Sequence, residues 1–177
     1  KTTLLNAFWG GGTLFGLLLG GLWVTPRLGK LSTARIGCWM IIASLGLLIL
    51  SGLTKNANGL YGVLVIFGIA AGLATNSALS LMLDLTLPEV AGTFVGVWGM
   101  AQALSRAMGK LFGGGLLDIG RAITGPENTF LAFSFVFFLE IIVMVMAIFV
   151  LGKVSIKRFK QETSLKIETL LMADLDT

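Results

Sequence analysis

The stretch "FLAFSFVFFLEIIVMVMAIFVL" (130–151) decides the fold class of this chain. It contains a single charged residue, Glu140, and neither glycine nor proline. A helix needs about 20 consecutive, mainly apolar residues to cross the ~30 Å hydrocarbon core of a bilayer. The stretch therefore predicts a membrane-crossing helix.

The rest of the chain has the same character. It is 55% hydrophobic and only 12% charged, with a mean hydropathy of +0.92, far from the composition of soluble domains. Five apolar stretches are long enough to span: Leu4–Val24, Ile36–Leu53, Leu60–Leu83, Thr93–Leu117 and Thr129–Leu151. The three prolines, Pro26, Pro88 and Pro126, all fall between these stretches. We predict an all-α bundle of five transmembrane helices over residues 1–152, followed by a tail over residues 153–177.

Lysines and arginines predict the orientation, because they concentrate on the cytoplasmic side of membrane proteins. They cluster at the first connection (Arg27, Lys30, Arg35) and after the last span (Lys153, Lys157, Arg158, Lys160). The tail is therefore expected on the cytoplasmic side. Since the first residue is lysine and the first span begins at once, we also expect the chain to be the C-terminal part of a longer protein.

Several function classes are disfavoured. Histidine is absent, and Cys38 is the single cysteine, which leaves neither the usual general base nor a set of metal ligands. We expect no enzyme and no metal site. The net charge of +4 lies beside apolar spans, where lipid head groups explain it, so membrane lipids rather than nucleic acids are the expected partners.

Glycines predict close helix packing. In membranes, small residues four positions apart let two helix backbones approach each other. The glycines at this spacing are Gly12, Gly16 and Gly20 in the first span, Gly68 and Gly72 in the third, and Gly92 and Gly96, then Gly109 and Gly113, around the fourth.

The segment "WGMAQALSRAMGKLFGGG" (98–115) places charge inside the fourth span. Gln102, Arg106 and Lys110 are spaced four residues apart and form one stripe along the helix. Arg106 lies about 20 Å from Thr93 along the axis, inside the hydrocarbon core, where an arginine must face protein, water or a counter-charge. Two interpretations remain open: a buried ion pair with Glu140 of the fifth span, or a contact to substrate, pigment or a partner subunit.

Two segments resemble a known family. "VTPRLGKLSTAR" (24–35) is similar to the cytoplasmic loop of the major facilitator superfamily, where Arg27, Gly29 and Lys30 match an R-x-G-R pattern and Pro26 replaces the acidic residue. The segment at 78–120 carries L-M-x-D-L-T with Asp84, then P-E-x-x-G, W-G-x-A-Q-A-x-S-R and G-G-x-x-x-D. These motifs resemble cyanobacterial-type members of the PucC family, the bacteriochlorophyll-delivery branch of that superfamily.

The resemblance implies a fold, a location and a role. The five spans would correspond to helices 8–12 of a twelve-helix facilitator, with the first seven helices missing. It implies an assembly factor for light-harvesting or photosystem complexes in a thylakoid or other photosynthetic membrane. Photosystem or light-harvesting subunits would be its partners, and chlorophyll would be held transiently or at a partner interface.

Candidate site residues follow from the spans and the resemblance together. Gln102, Arg106 and Glu140 are the candidates for a pigment or substrate contact, and Arg27, Gly29, Lys30 and Asp84 for a cytoplasmic gate. Without histidine, magnesium of a chlorophyll would need an oxygen ligand such as Gln102, Asn76 or Glu140. A secondary transporter of a small solute is the alternative function, and a purely structural membrane subunit is a third.

Overall fold

The computed structural model describes residues 2–54, 57–84, 86, 91–125 and 127–153. Every element within these ranges is helical, which confirms the all-α fold class. The elements are α1 (Thr2–Leu19), a π-helical turn (Gly20–Val24), α2 (Thr25–Leu28), α3 (Lys30–Thr54), α4 (Ala57–Asp84), α5 (Ala91–Thr124) and α6 (Thr129–Gly152). The expected tail lies outside the described residues except for Lys153, so the division at residue 152 stays a prediction.

Four of the five expected spans form helices that are long and apolar enough to cross a membrane: Thr3–Leu28, Lys30–Thr54, Gly59–Asp84 and Thr129–Gly152. The remaining expected span, Thr93–Leu117, the fourth in chain order, lies within the 34-residue helix α5, which is not among these four in the described part of the chain. The polar residues of the stripe that begins at Gln102, together with many glycines, lower the hydropathy of α5.

The first connection is much shorter than the polar sequence around it suggests. The helix that starts with α1 continues through the π-helical turn into α2, and only Gly29 separates α2 from α3. Gly29 adopts φ = +83°, a left-handed conformation that glycine tolerates without steric cost. Helix α3 therefore begins at Lys30, earlier than the expected start at Ile36.

Helices α1 and α4 cross in close contact, with glycines from both sides at the crossing. A Cβ added to Gly12 would meet the Val65 carbonyl oxygen at 2.5 Å, and one added to Gly68 would meet the Trp9 carbonyl oxygen. Gly16 and Gly72 have equally close backbone neighbours on the opposite helix. At these four positions only glycine permits the observed separation of the two backbones.

Helix α3 packs on α4 beside this crossing. A small buried core of Ile41, Leu45 and Ala70 joins them, and side chains of α6, including Phe137 and Met144, pack against that core. Helix α5 lies outside this arrangement. It contacts α6, most closely where Gly120 approaches Ala132, and the residues before Gly113 are exposed apart from Ala91, Trp98 and Gln102.

Candidate functional site

An ion pair joins two helices at the end of the bundle that is expected to face the cytoplasm. Lys30 at the start of α3 places its Nζ 2.7 Å from Asp84 Oδ1 at the end of α4. The same ammonium donates a hydrogen bond to the Ser80 carbonyl oxygen at 3.3 Å. Both side chains are about a third exposed, at 34% and 28%, so the pair is accessible to solvent.

The turn before α3 orients Lys30. The Gly29 N–H donates to the Thr25 carbonyl oxygen at 3.0 Å and closes α2. The Gly29 carbonyl oxygen then accepts from both the backbone N–H of Thr33 (3.0 Å) and its Oγ1 (2.8 Å), which fixes the first turn of α3. Because Thr33 is completely buried, this turn is anchored to the bundle.

Arg27 takes a different position from Lys30. Its guanidinium lies 5.2 Å from the centre of the Trp23 ring, a cation–π contact one turn back on the same helix. Of the four candidate gate residues, the structure thus brings Lys30 and Asp84 together, uses Gly29 as the turn, and leaves Arg27 on Trp23. Their gating role stays a prediction.

Asn76 extends this polar site deeper into the bundle. Its Nδ2 donates to Thr25 Oγ1 at 3.2 Å, and its amide packs against Gly20 and Gly21 in the π-helical turn. Thr25, which accepts from Asn76, and Ser80, whose carbonyl accepts from Lys30, were not among the predicted site residues. A signal was present in the sequence, because Asn76, Ser80 and Asp84 are spaced four residues apart and so share one face of α4.

Helix α5 carries the second group of candidate residues. At about 100° per residue, six positions fall within an arc of about 100° on its surface. We call them the α5 open face: Gly99, Gln102, Arg106, Gly109, Lys110 and Gly113. Arg106 and Lys110 are exposed, and a Cβ added to any of the three glycines would meet no atom within 4 Å. The predicted packing role of Gly109 and Gly113 therefore finds no partner within the described residues.

Arg106 is held by its own helix. Its Nη2 donates to Gln102 Oε1 at 3.1 Å, so the predicted stripe forms at least one internal hydrogen bond. Glu140 is an exposed residue of α6, and no ion pair connects it to Arg106 in the part of the chain that the structure describes. The two do not form the buried pair that was one of the two interpretations. The open alternative is a contact with something outside these residues.

Oxygen ligands for a chlorophyll magnesium are few in this arrangement. No group of three or more His, Cys, Asp or Glu side chains comes together among the residues described. Gln102 Oε1 accepts from Arg106, and Asn76 donates to Thr25, which leaves the Asn76 Oδ1 and the exposed Glu140 carboxylate as the more available oxygens. These groups would suit a single oxygen ligand to the magnesium of a pigment better than a multidentate metal site.

Comparison with known proteins identifies the family. Residues 1–159 match the family described as PUCC protein, which is most of the chain. The chain belongs to the PucC family. A curated relative, the "Bacteriochlorophyll synthase 44.5 kDa chain" of Rhodobacter capsulatus, is 30% identical over a 158-residue alignment that covers 83% of this chain. The chain spans about a third (35%) of the length of that relative. No solved structure matches.

Family membership and helix composition agree on the location of the chain. Four helices are long and apolar enough to span a bilayer, and most of the chain matches the PucC family. The chain is therefore part of an integral membrane protein.

Proposed function

We propose that this chain is part of a membrane assembly factor that handles or delivers chlorophyll during the formation of light-harvesting or photosystem complexes. The observation that carries the proposal is the match of residues 1–159 to the PucC family. The name of its Rhodobacter capsulatus relative, which refers to bacteriochlorophyll, supports a pigment as the molecule concerned. The protein would act in a thylakoid or other photosynthetic membrane, with its tail on the cytoplasmic side.

The α5 open face supports this proposal structurally. It presents an arginine, a lysine and an amide beside glycines that no described residue covers. Placing a cation near the middle of a membrane helix costs at least ~2.5 kcal/mol on insertion scales. Such a residue is therefore expected to face protein, water or a counter-charge. We infer that a photosystem or light-harvesting subunit, or its pigment, occupies this face during assembly.

Chlorophyll handling would be non-catalytic. When bound, the pigment would supply a magnesium ion that accepts an oxygen ligand. Asn76 and Glu140 are this chain's candidates for that ligand, and Arg106 would orient a carbonyl group of the pigment through its free N–H groups. The scarcity of strong ligands favours transient handling over permanent antenna binding.

The composition of the gently solubilised complex tests the proposal. Mass spectrometry and an absorption spectrum should detect chlorophyll together with light-harvesting or photosystem subunits. Arg106→Ala should reduce the amounts of co-purifying chlorophyll and photosynthetic subunits several-fold, because the variant lacks the arginine of the α5 open face. The matched control is Arg121→Ala, an exposed arginine on the same helix whose loss should leave both unchanged. A wild-type complex without pigment and without photosynthetic subunits would refute the proposal.

A secondary transporter of a small solute is the second candidate, favoured by the accessible Lys30–Asp84 pair between two helix ends. Transporters of this type alternate between two arrangements of helix bundles. Asp84→Asn should then change solute uptake into membrane vesicles, and Arg106→Ala should abolish it if Arg106 binds an anionic solute. Uptake at background level in the wild-type protein would eliminate this candidate.

A further inference from the structure

A cavity of about 790 Å³ lies at the end of the bundle opposite the Lys30–Asp84 pair. Helices α1, α3, α4 and α6 all contribute to its wall. Ser51 lies three residues before the end of α3, and Ser134 lies five residues after the start of α6. At 1.5 Å per residue, the two serines are about 4.5 Å and 7.5 Å from the helix ends, near the boundary between hydrocarbon and head groups.

The wall is apolar and aromatic, with no charged residue among those that line the cavity. Phe130, Phe133 and Phe137 form one side, and Leu48 and Leu64 contribute to the other. A cavity of this size suits a drug-sized or longer ligand, and binding sites of this kind combine apolar walls with a few polar groups.

Two hydroxyl groups in this wall have unmet hydrogen-bonding capacity. Ser51 Oγ and Ser134 Oγ are buried and have no hydrogen-bond partner within the described residues. Two other buried hydroxyls of the bundle, those of Thr33 and Ser44, donate instead to the carbonyl oxygen four residues earlier. A buried polar group without a partner costs about 1–3 kcal/mol. Each Oγ is covered by neighbouring atoms, so the serine side chain must rotate about χ1 to donate to an acceptor in the cavity, and that hydrogen bond would recover the cost.

We propose that this cavity binds a long hydrocarbon chain that carries a carboxylic ester, with the ester carbonyl accepting hydrogen bonds from Ser51 and Ser134. The apolar walls accommodate the chain, and the two hydroxyls lie at the depth where the ester groups of membrane amphiphiles are found. A free carboxylate is disfavoured because the lining offers no cation to pair with it. The ester site does not depend on the proposed assembly role.

Binding of ester and ether probes tests the hydrogen bonds. Methyl oleate and phytyl acetate would be titrated into the full-length protein in detergent and compared with oleyl methyl ether and phytyl methyl ether by native mass spectrometry. Each ester should bind at least about fivefold more tightly than its ether, because one net hydrogen bond is worth about fivefold and the ester carbonyl would accept two. The double substitution Ser51→Ala with Ser134→Ala should remove that preference.

Ser77→Ala is the matched control for the serine pair. Ser77 Oγ is also buried without a partner, but Ser77 does not line this cavity. This variant should therefore keep the preference for the ester. Equal binding of ester and ether by the wild-type protein would overturn the proposal, as would a preference that survives the double substitution.

Filling the cavity tests its position. Leu64→Trp should lower the binding of both esters at least tenfold, whereas Leu79→Trp, on an exposed site of the same helix, should not. Thermal unfolding would verify that both variants are folded, and the serine variants keep the test decisive if Leu64→Trp is not. Equal ester binding by the two tryptophan variants would contradict the assigned position.

The two ester probes distinguish the sources of the ligand. Tighter binding of phytyl acetate would indicate an isoprenoid ester, such as the tail of an esterified pigment. Tighter binding of methyl oleate would indicate a fatty-acyl membrane lipid, and either preference supports an ester site. Loss of complex assembly in Arg106→Ala with unchanged ester binding would separate this cavity from the α5 open face.

Discussion

Single glycines set the distance between α1 and α4. Gly16 and Gly72 each have backbone atoms of the opposite helix where a Cβ would lie, while Gly10 and Gly11 in α1 have no atom within 4 Å of that position. The same residue type thus has different consequences within one helix, according to which side it faces.

Gly16→Ala should lower the free energy of unfolding by about 1–3 kcal/mol, because the added methyl group forces the two helices apart. Gly10→Ala is the matched control and should leave it unchanged or slightly raised, since alanine favours helix over glycine. Thermal unfolding of the detergent-solubilised protein, followed by circular dichroism, measures both. Equal unfolding temperatures for the two variants would contradict the observed crossing.

The Lys30–Asp84 pair is expected to contribute little to stability. It is short, at 2.7 Å, but about a third exposed, and ion pairs in such surroundings are worth about 0.2–1 kcal/mol. Lys30→Met should lower the free energy of unfolding by no more than that amount. The double substitution Lys30→Asp with Asp84→Lys restores an ion pair with the charges exchanged. It should therefore recover part of the free energy of unfolding that is lost in Lys30→Met.

The more exposed Asp118–Arg121 pair, at 3.8 Å, is the control for this experiment. Arg121→Ala should produce no measurable change in unfolding temperature. A loss of several kcal/mol in Lys30→Met would show instead that the lysine is essential to the fold.

The sequence predicted which glycines pack closely, but it did not predict which residues they or the charged side chains contact. Glycine spacing identified Gly12, Gly16, Gly68 and Gly72 before any partner was known, because close packing in membranes needs small residues at a fixed interval. The Lys30–Asp84 contact joins residues 54 positions apart, and no local rule specifies such a pair. The two serines of the cavity gave no pattern, since their environment comes from four different helices.

Among the helices, α5 differs most from the others. It is the longest described helix, packs mainly on α6, and is the one expected span that falls short of the apolar character of a membrane helix. Periodicity predicted its existence and its polar stripe. Its partner was not predictable, because the polar stripe does not specify what lies opposite it.

Substituting glycines on two sides of α5 tests whether the open face receives a partner. Gly113→Leu should leave the unfolding temperature unchanged, because no atom lies within 4 Å of an added Cβ, yet it should reduce the co-purifying photosynthetic subunits several-fold. Gly115→Leu, which points about 200° away, should reduce neither. Equal recovery of subunits with both variants would argue against docking on this face.

At the scale of the whole molecule, orientation in the membrane stays a prediction from the distribution of lysine and arginine. Single cysteines in a Cys38→Ser background test it, with Ser32→Cys near the first turn and Glu127→Cys between α5 and α6, both exposed. A membrane-impermeant maleimide added to sealed photosynthetic membrane vesicles whose cytoplasmic face is outward should label residue 32, and residue 127 only after lysis. The reverse pattern would invert the topology.

The π-helical turn at Gly20–Val24 makes the geometry of one bundle end depend on a single hydrogen-bonding pattern. The Thr25 N–H bonds to the Gly20 carbonyl oxygen, five residues back rather than four. If the same residues formed a regular α-helix instead, with hydrogen bonds to the fourth residue back, everything after the turn would be rotated by about 100°. Thr25 would then point away from Asn76, and the turn at Gly29 would no longer place Lys30 within reach of Asp84. The hydrogen-bonding pattern of this turn, as much as residue type, therefore determines which groups meet at that end.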